Sequence, residues 1–265
     1  MKRIVMRRMI ISGNWKMYKT LEETITFFEE LSAWEKDTFH KNQLLIFPPN
    51  LYTMTALEKT NENEIDIGVQ NIYFKDFGAF TGEISAPMLS SIGCKYALVG
   101  HSERRHIFHE TDEEINLKIL ALIEHRKHII FCIGEKEDQR DSGLTEKVLE
   151  NQLSIGLQDV DEKDMEHVVI AYEPVWAIGT GKTATPEIAQ DAHAFIRNWI
   201  STHFNTSVAK KMRILYGGSV KVSNCDGLLE KPDIDGALIG GASLKINDYI
   251  EIIKISEEVT QRKNQ

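Results

Sequence analysis

Short apolar runs alternate along this chain with longer segments whose apolar residues recur at helical spacing. Strand-like runs fall at residues 9–12, 44–47, 65–70, 96–99, 128–133, 168–171, 213–216 and 236–239. They are mainly apolar and most are rich in branched aliphatic residues, the pattern of strands buried on both faces. Between them lie helix signals. Thr20-Leu-Glu-Glu23 and Thr111-Asp-Glu-Glu114 read as capping boxes. Thr185-Pro186 gives a cap and a first-turn proline. Ile115, Ile119, Leu122 and Ile123 mark one buried helix face, and Ile188, Ala192, Phe195, Ile196, Trp199 and Ile200 a longer one. A helix bearing Ile246, Tyr249, Ile250 and Ile253 closes the chain. Strand and helix in strict alternation give parallel strands with right-handed crossovers, the α/β class. Eight units fit a closed (β/α)8 barrel better than an open doubly wound sheet, though only the count argues for closure.

One stretch departs from simple alternation. Residues 168–171 lead into Tyr172, Glu173 and Pro174. Proline ends the ladder and holds Glu173 extended, so the carboxylate should project from the strand's end. Val175, Trp176, Ala177, Ile178, Gly179, Thr180, Gly181 and Lys182 follow. A stiff hinge at Pro174, an apolar tip at Ile178 and two glycines able to approach an anion make a lid composition. A plain strand-to-helix connection with a solvated glutamate fits the stretch equally well.

Composition narrows the classes. With 265 residues, 27 % charged and 42 % apolar, the chain is an ordinary globule with room for a sizeable core. No composition break divides residues 9–265, which are expected to form one domain. Residues 1–8 are basic with no apolar run behind them, and with Met6 and Met9 nearby they are expected to reflect an alternative start or a frayed extension. A formal charge of −9 argues against nucleic acid or an anionic membrane as the main partner. Three cysteines, Cys94, Cys132 and Cys225, lack metal-type spacing and read as reduced thiols of a cytoplasmic protein. No His, Cys or carboxylate spacing suggests a metal site.

Catalytic groups of β/α barrels sit on the loops after the strands, and here polar residues gather there. Asn14 and Lys16 follow the first strand, His101 and Glu103 the fourth, Cys132 to Glu135 complete the fifth, and Glu173 ends the sixth. Gly217-Gly-Ser219 follows the seventh strand and Gly240-Gly241 the eighth. One glycine pair is a turn as readily as a site; two on consecutive strands favour phosphate held by backbone N–H groups. Arg104 and Arg105 read as an ion-pair network rather than a substrate clamp. Cys132 reads as packing, with no neighbouring base to activate it.

Seven motifs carry a resemblance. Gly13-Asn-Trp-Lys-Met17, Gly78-Ala-Phe-Thr-Gly-Glu-Ile-Ser85, Val99-Gly-His-Ser-Glu-Arg-Arg105, Phe131-Cys-Ile-Gly-Glu135, Ala171-Tyr-Glu-Pro-Val-Trp-Ala-Ile-Gly-Thr-Gly-Lys182, Tyr216-Gly-Gly-Ser219 and Leu238-Ile-Gly-Gly-Ala242 resemble, in order, the triosephosphate isomerase family. The resemblance spans the chain from about Met9 to its end. It implies the eight-stranded barrel and an isomerase of glycolysis and gluconeogenesis. Such an enzyme interconverts dihydroxyacetone phosphate and D-glyceraldehyde 3-phosphate through an enediolate, without cofactor or metal.

By the same resemblance, Glu173 is the proton-transferring base and His101 the neutral imidazole that polarises the carbonyl. Lys16 opposes phosphate and oxyanion charge, Asn14 donates a hydrogen bond, and Glu103 is a buried supporting acid. Gly179, Ser219, Gly240 and Gly241 bind phosphate. Ile178 and Leu238 close over the base, and Glu135 accepts from the Trp176 indole at the hinge of the lid, residues 174–182. A homodimer is implied, joined through the loop 71–83 with Thr81 reaching the partner. Phe74, Phe77, Tyr18 and His109 depart from the usual pattern, at the interface rather than at the catalytic positions. Another phosphate-binding barrel would lack the Lys16, His101, Glu173 set, and a silent scaffold would have lost one of the three.

Overall fold

Each strand is paired on both sides. The computed structural model describes residues 7–35, 40–60, 65–178 and 183–265. Strands β1 (Ile10–Asn14), β2 (Gln43–Phe47), β3 (Ile65–Val69), β4 (Tyr96–Val99), β5 (His128–Ile133), β6 (Val168–Tyr172), β7 (Ile214–Tyr216) and β8 (Gly236–Ile239) form a closed, all-parallel barrel in chain order. Ile10 to Gly13 of β1 pair in register with Gly236 to Ile239 of β8 and close the cylinder. That seam requires glycine at 236. Its φ is +136°, and a Cβ there would lie 2.0 Å from the Ile10 carbonyl oxygen.

The helices pack outside: α1 (Leu21–Glu35), α2 (Thr53–Lys59), α3 (Ala86–Ser91), α4 (Ser102–His106), α5 (Asp112–Glu124), α6 (Glu137–Asp141), α7 (Thr145–Gly156), α8 (Pro186–His203), α9 (Thr206–Lys211), α10 (Val222–Leu229) and α11 (Ile246–Lys263). Both capping boxes form, at Thr20 with Glu23 and at Thr111 with Glu114, and Thr185 caps α8. No helix among the described residues is long and apolar enough to cross a membrane.

The absence of polar alternation in the strands now has its cause. Ile10, Leu45, Phe47, Leu98, Ile130, Val169, Leu215 and Leu238 fill the barrel interior. Their neighbours Ile11, Leu44, Ile46, Ile129, Ile170 and Ile239 face the helices. Side chains of a strand alternate between faces, and here both faces are dry.

Two expectations change. Gly13 and Asn14, read as loop, continue β1 opposite Ile46 and Phe47. Arg7 and Arg8, read as part of a frayed extension, are anchored. Arg7 Nε donates to Asp235 Oδ1 at 2.6 Å, and Arg8 Nε to the Lys41 carbonyl at 2.8 Å. Arg8 finds its acceptor once β1 pairs with β2, and Arg7 finds Asp235 only once β8 closes the barrel on β1. Residues 1–6 lie outside the described residues.

Candidate active site

A cavity of about 640 Å³ opens at the carboxyl ends of the strands. Its wall includes Asn14, Lys16, His101, Glu173, Ile178, Gly217, Gly218, Ser219, Leu238, Gly240 and Gly241. Strands β1, β4, β6, β7 and β8 deliver these residues from positions up to 227 apart, from Asn14 to Gly241.

His101 caps the short helix α4. Its Nδ1 accepts from the Glu103 backbone N–H at 3.2 Å. An imidazole nitrogen that accepts carries no proton, so the ring's proton sits on Nε2, which is aimed into the cavity. Nε2 lies 3.1 Å from Glu173 Oε1. The other carboxylate oxygen of Glu173 accepts from the Ser102 backbone N–H at 2.9 Å. Both oxygens of this buried acid are thus engaged, one by a ring and one by the first turn of α4.

The backbone around Glu173 is fixed as firmly. Glu173 N–H donates to the Ile133 carbonyl at 2.7 Å, and Gly217 N–H to the Tyr172 carbonyl at 2.7 Å. A Cβ on Gly134 would meet the Glu173 carbonyl oxygen at 1.8 Å, and one on Gly217 would meet Glu173 Cγ at 2.8 Å. Only glycines allow this close approach on either side.

Lys16 adopts a left-handed backbone, φ 52°. Two contacts hold that turn: Asn14 Oδ1 accepts from Lys16 N–H at 3.0 Å, and Gln70 Nε2 donates to the Lys16 carbonyl at 2.8 Å. The ammonium meets Glu103 Oε1 at 2.8 Å. Glu103 was expected to be buried, but its side chain is 39 % exposed in the first turn of α4. Oδ1 of Asn14 is occupied by the backbone, and its Nδ2 donates to no acceptor among the described residues.

On the opposite wall the amides of Gly218, Ser219, Gly240 and Gly241 take no acceptor among the described residues. Gly241 opens a short 3-10 turn, Gly241–Leu244, so donors of a helix start point at the same space. Lys221 and Lys245 stand on the rim.

The lid's first half is described and its second is not: Gly179, Thr180, Gly181 and Lys182 lie outside the described residues. Val175–Ala177 is a 3-10 turn rather than open loop. Trp176 Nε1 donates to Glu135 Oε1 at 2.9 Å, Tyr172 Oη donates to the same carboxylate at 3.1 Å, and Arg140 lies over the Trp176 ring. Burial, then the Glu135 carboxylate, push the Tyr172 hydroxyl well above its ordinary pKa, so it stays a donor.

Arg104 pairs with Glu110 and Arg105 with Asp112, the network expected of them. Cys132 is fully buried as expected, but it does have an acid beside it. Burial first, and then Glu173, raise its thiol pKa well above the usual range, which keeps it inert. Sequence reasoning missed Ser102, Gln70, Arg140, Lys221 and Lys245. The first acts through its backbone, which no side-chain pattern announces.

A parallel β/α barrel whose mouth pairs an imidazole with a carboxylate, beside a lysine and unpaired amides, defines a barrel enzyme for acid–base chemistry on small anions. Sequence comparison narrows this class to one family. A family model described as triosephosphate isomerase matches residues 9–256. A protein named triosephosphate isomerase from Chloroherpeton thalassium is 48 % identical over 252 residues, covering 95 % of this chain and 100 % of that one. One of the same name from Syntrophotalea carbinolica is 48 % identical over 250 residues, 94 % of this chain and 98 % of the other. Another, from Clostridium botulinum, is 45 % identical over 248 residues, 94 % and 99 %. The chain belongs to the triosephosphate isomerase family.

Proposed function

We propose that this cavity interconverts dihydroxyacetone phosphate and D-glyceraldehyde 3-phosphate by moving one proton between adjacent carbons, a step of glycolysis and gluconeogenesis. The observation that carries the mechanism is the pairing of a proton-bearing His101 Nε2 with Glu173 in one dry pocket. Glu173 leaves the Ser102 amide and His101 and turns its freed carboxylate to the substrate carbon as general base. His101 Nε2–H and Asn14 Nδ2 donate to the carbonyl oxygen as negative charge gathers there. Lys16 leaves Glu103 for the substrate, where its charge opposes both oxyanion and phosphate in a low-dielectric site.

The phosphate is held by the amides of Ser219, Gly240 and Gly241, with Gly179 joining them from the lid. Ile178 and Leu238 cover the base and exclude water. Glu135 fixes the lid's hinge through Trp176 and Tyr172. No cofactor or metal enters this scheme.

The active species is a cytoplasmic homodimer. Phe77 is 77 % exposed and Met17 94 %, with Phe80, Ile107 and Phe108 also in solvent. Apolar surface of this extent belongs in an interface. Thr81 lies exposed on the same loop, where it would meet the partner. Residues 9–265 act as one domain. An assay of the purified protein with D-glyceraldehyde 3-phosphate, coupled to reduction of the ketone product, tests the activity. Failure of a folded sample to turn over would overturn it.

A further inference from the structure

A second cavity, of about 600 Å³, opens at the amino-terminal end of the barrel, opposite the catalytic mouth. Its wall comes from three places: Arg7 and Arg8 before β1, the 3-10 turn Glu162–His167 before β6, and α9 with the link into β7. Cations dominate it. Arg7, Arg8, Lys163, Lys211 and Arg213 face two acids, Glu162 and Glu166, on a chain whose net charge is negative.

What these cations bond to distinguishes them. Arg7 is matched by Asp235, and Lys163 lies 3.3 Å from Asp161. The other three have no carboxylate within ion-pair distance among the described residues. Arg8 donates only to the carbonyls of Lys41 and Asn42. Arg213 donates from Nη1 to Gln43 Oε1 at 2.8 Å, and its remaining N–H groups have no protein acceptor among the described residues. Lys211 has no hydrogen-bonded partner among them. Glu162 and Glu166 are exposed and form no ion pair with any of the three.

This arrangement is costly as it stands. Arg213 is half-buried, and two guanidinium groups with only neutral acceptors repel one another. Burial lowers the Arg213 pKa from its ordinary value; Tyr96, Asp235 and Asp66 offset part of this, and the Arg8 charge adds to it. A buried charge is ordinarily matched by an opposite one. Catalysis at the other end of the barrel does not use these residues, and the fold does not require Lys211, which is exposed.

We propose that Arg8, Lys211 and Arg213 form a binding site for a diphosphate group at the amino-terminal face of the barrel. The planar guanidinium groups of Arg8 and Arg213 suit bidentate contact with phosphoryl oxygens, while Lys211 adds a point charge at the entrance. Three unmatched positive charges balance an anion carrying two or three negative ones. Such a group fits within the volume, which lies in the range of ordinary small-molecule sites. Met165, Val168, Val208 and Met212 give the remaining wall apolar surface, so the group is either free pyrophosphate or the end of a nucleoside diphosphate.

Isothermal titration of the intact protein with inorganic pyrophosphate, and separately with ADP, tests this. The catalytic cavity is read independently, through competitive inhibition of isomerase turnover by the same ligand. The expected result is binding that substrate does not displace, in at least one of the two arms. Arg8→Gln combined with Lys211→Glu should weaken it at least tenfold while kcat, KM and the inhibition constant stay unchanged. Lys211→Ala alone, a surface change that leaves folding intact, should weaken it severalfold. Binding that substrate fully displaces, or that both variants leave intact, overturns the proposal. Loss of isomerase activity in the unsubstituted protein would instead count against the reading of the catalytic site.

Discussion

Gly217→Ala should cripple the proposed catalytic base without replacing a catalytic side chain. The backbone at 217 is not left-handed, so alanine is sterically allowed there on conformational grounds. The obstacle is Glu173, whose Cγ would stand 2.8 Å from the new methyl. Ordinary carbon contact begins near 3.4 Å, so the Glu173 side chain must move by roughly 0.6 Å or more. It cannot move freely, since Oε2 is held by the Ser102 amide at 2.9 Å and Oε1 lies 3.1 Å from His101. A misplacement of about 1 Å costs ~10²-fold in rate, so a fall in kcat of about 10- to 100-fold is expected. KM should change little, because Gly217 N–H already serves the Tyr172 carbonyl and is not a phosphate donor. Steady-state kinetics with both triose phosphates, beside a circular dichroism spectrum, would measure the effect. A folded variant with kcat within threefold of the parent would refute the steric argument.

Three further outcomes are expected. Lys16→Met should lower kcat/KM by at least ~10²–10³-fold with the fold intact, as for loss of a preorganised oxyanion partner; near-normal turnover would remove Lys16 from the mechanism. His193 is fully buried with its pKa pushed down from 6.5 to about 3 by desolvation, so the native state keeps it neutral while the unfolded chain takes up a proton below pH 6.5. Its contribution to stability is therefore complete above that pH and lost progressively as pH falls towards 3, amounting to about 2 kcal/mol by pH 5. Urea unfolding of the parent and His193→Asn at pH 7 and 5 reads this, and an equal acid loss in both would contradict it. Finally, activity and dimerisation should be lost together on dilution, with Phe77→Asp shifting the midpoint to higher concentration; a fully active monomer by sedimentation would exclude the dimer reading.

The strands and most helix starts were legible because their causes are local. Thr20, Thr111 and Thr185 cap helices through groups three residues away, and apolar runs long enough for a buried strand leave few alternatives. Gly13-Asn14 misled because glycine followed by asparagine favours turns, whereas pairing with Ile46 and Phe47 holds it extended. Arg7 and Arg8 misled because Arg7's acid, Asp235, lies 228 positions along the chain. At the catalytic mouth, side chains with characteristic motifs were readable, including the Trp176–Glu135 contact. Ser102 was not, since any residue there presents the same N–H, and neither was the steric role of Gly217, which acts by lacking a side chain.

That difference bears on how the base is kept ready. Glu173 is buried and anionic oxygens need donors, so without partners it would be unstable in place. Ser102 N–H and His101 Nε2 meet that need. Lys16 and Glu103 satisfy one another in the same way, at 2.8 Å. In the proposed mechanism, both arrangements end in groups the substrate itself requires: the imidazole proton for its carbonyl and the ammonium for its negative charge. A triose phosphate that enters therefore competes for the donors that restrain Glu173 and Lys16. The same binding event that fills the amides of Ser219, Gly240 and Gly241 leaves the carboxylate with fewer partners. Freed of them, the proposed base can turn to the carbon-bound proton of the substrate, the first step of the proposed reaction.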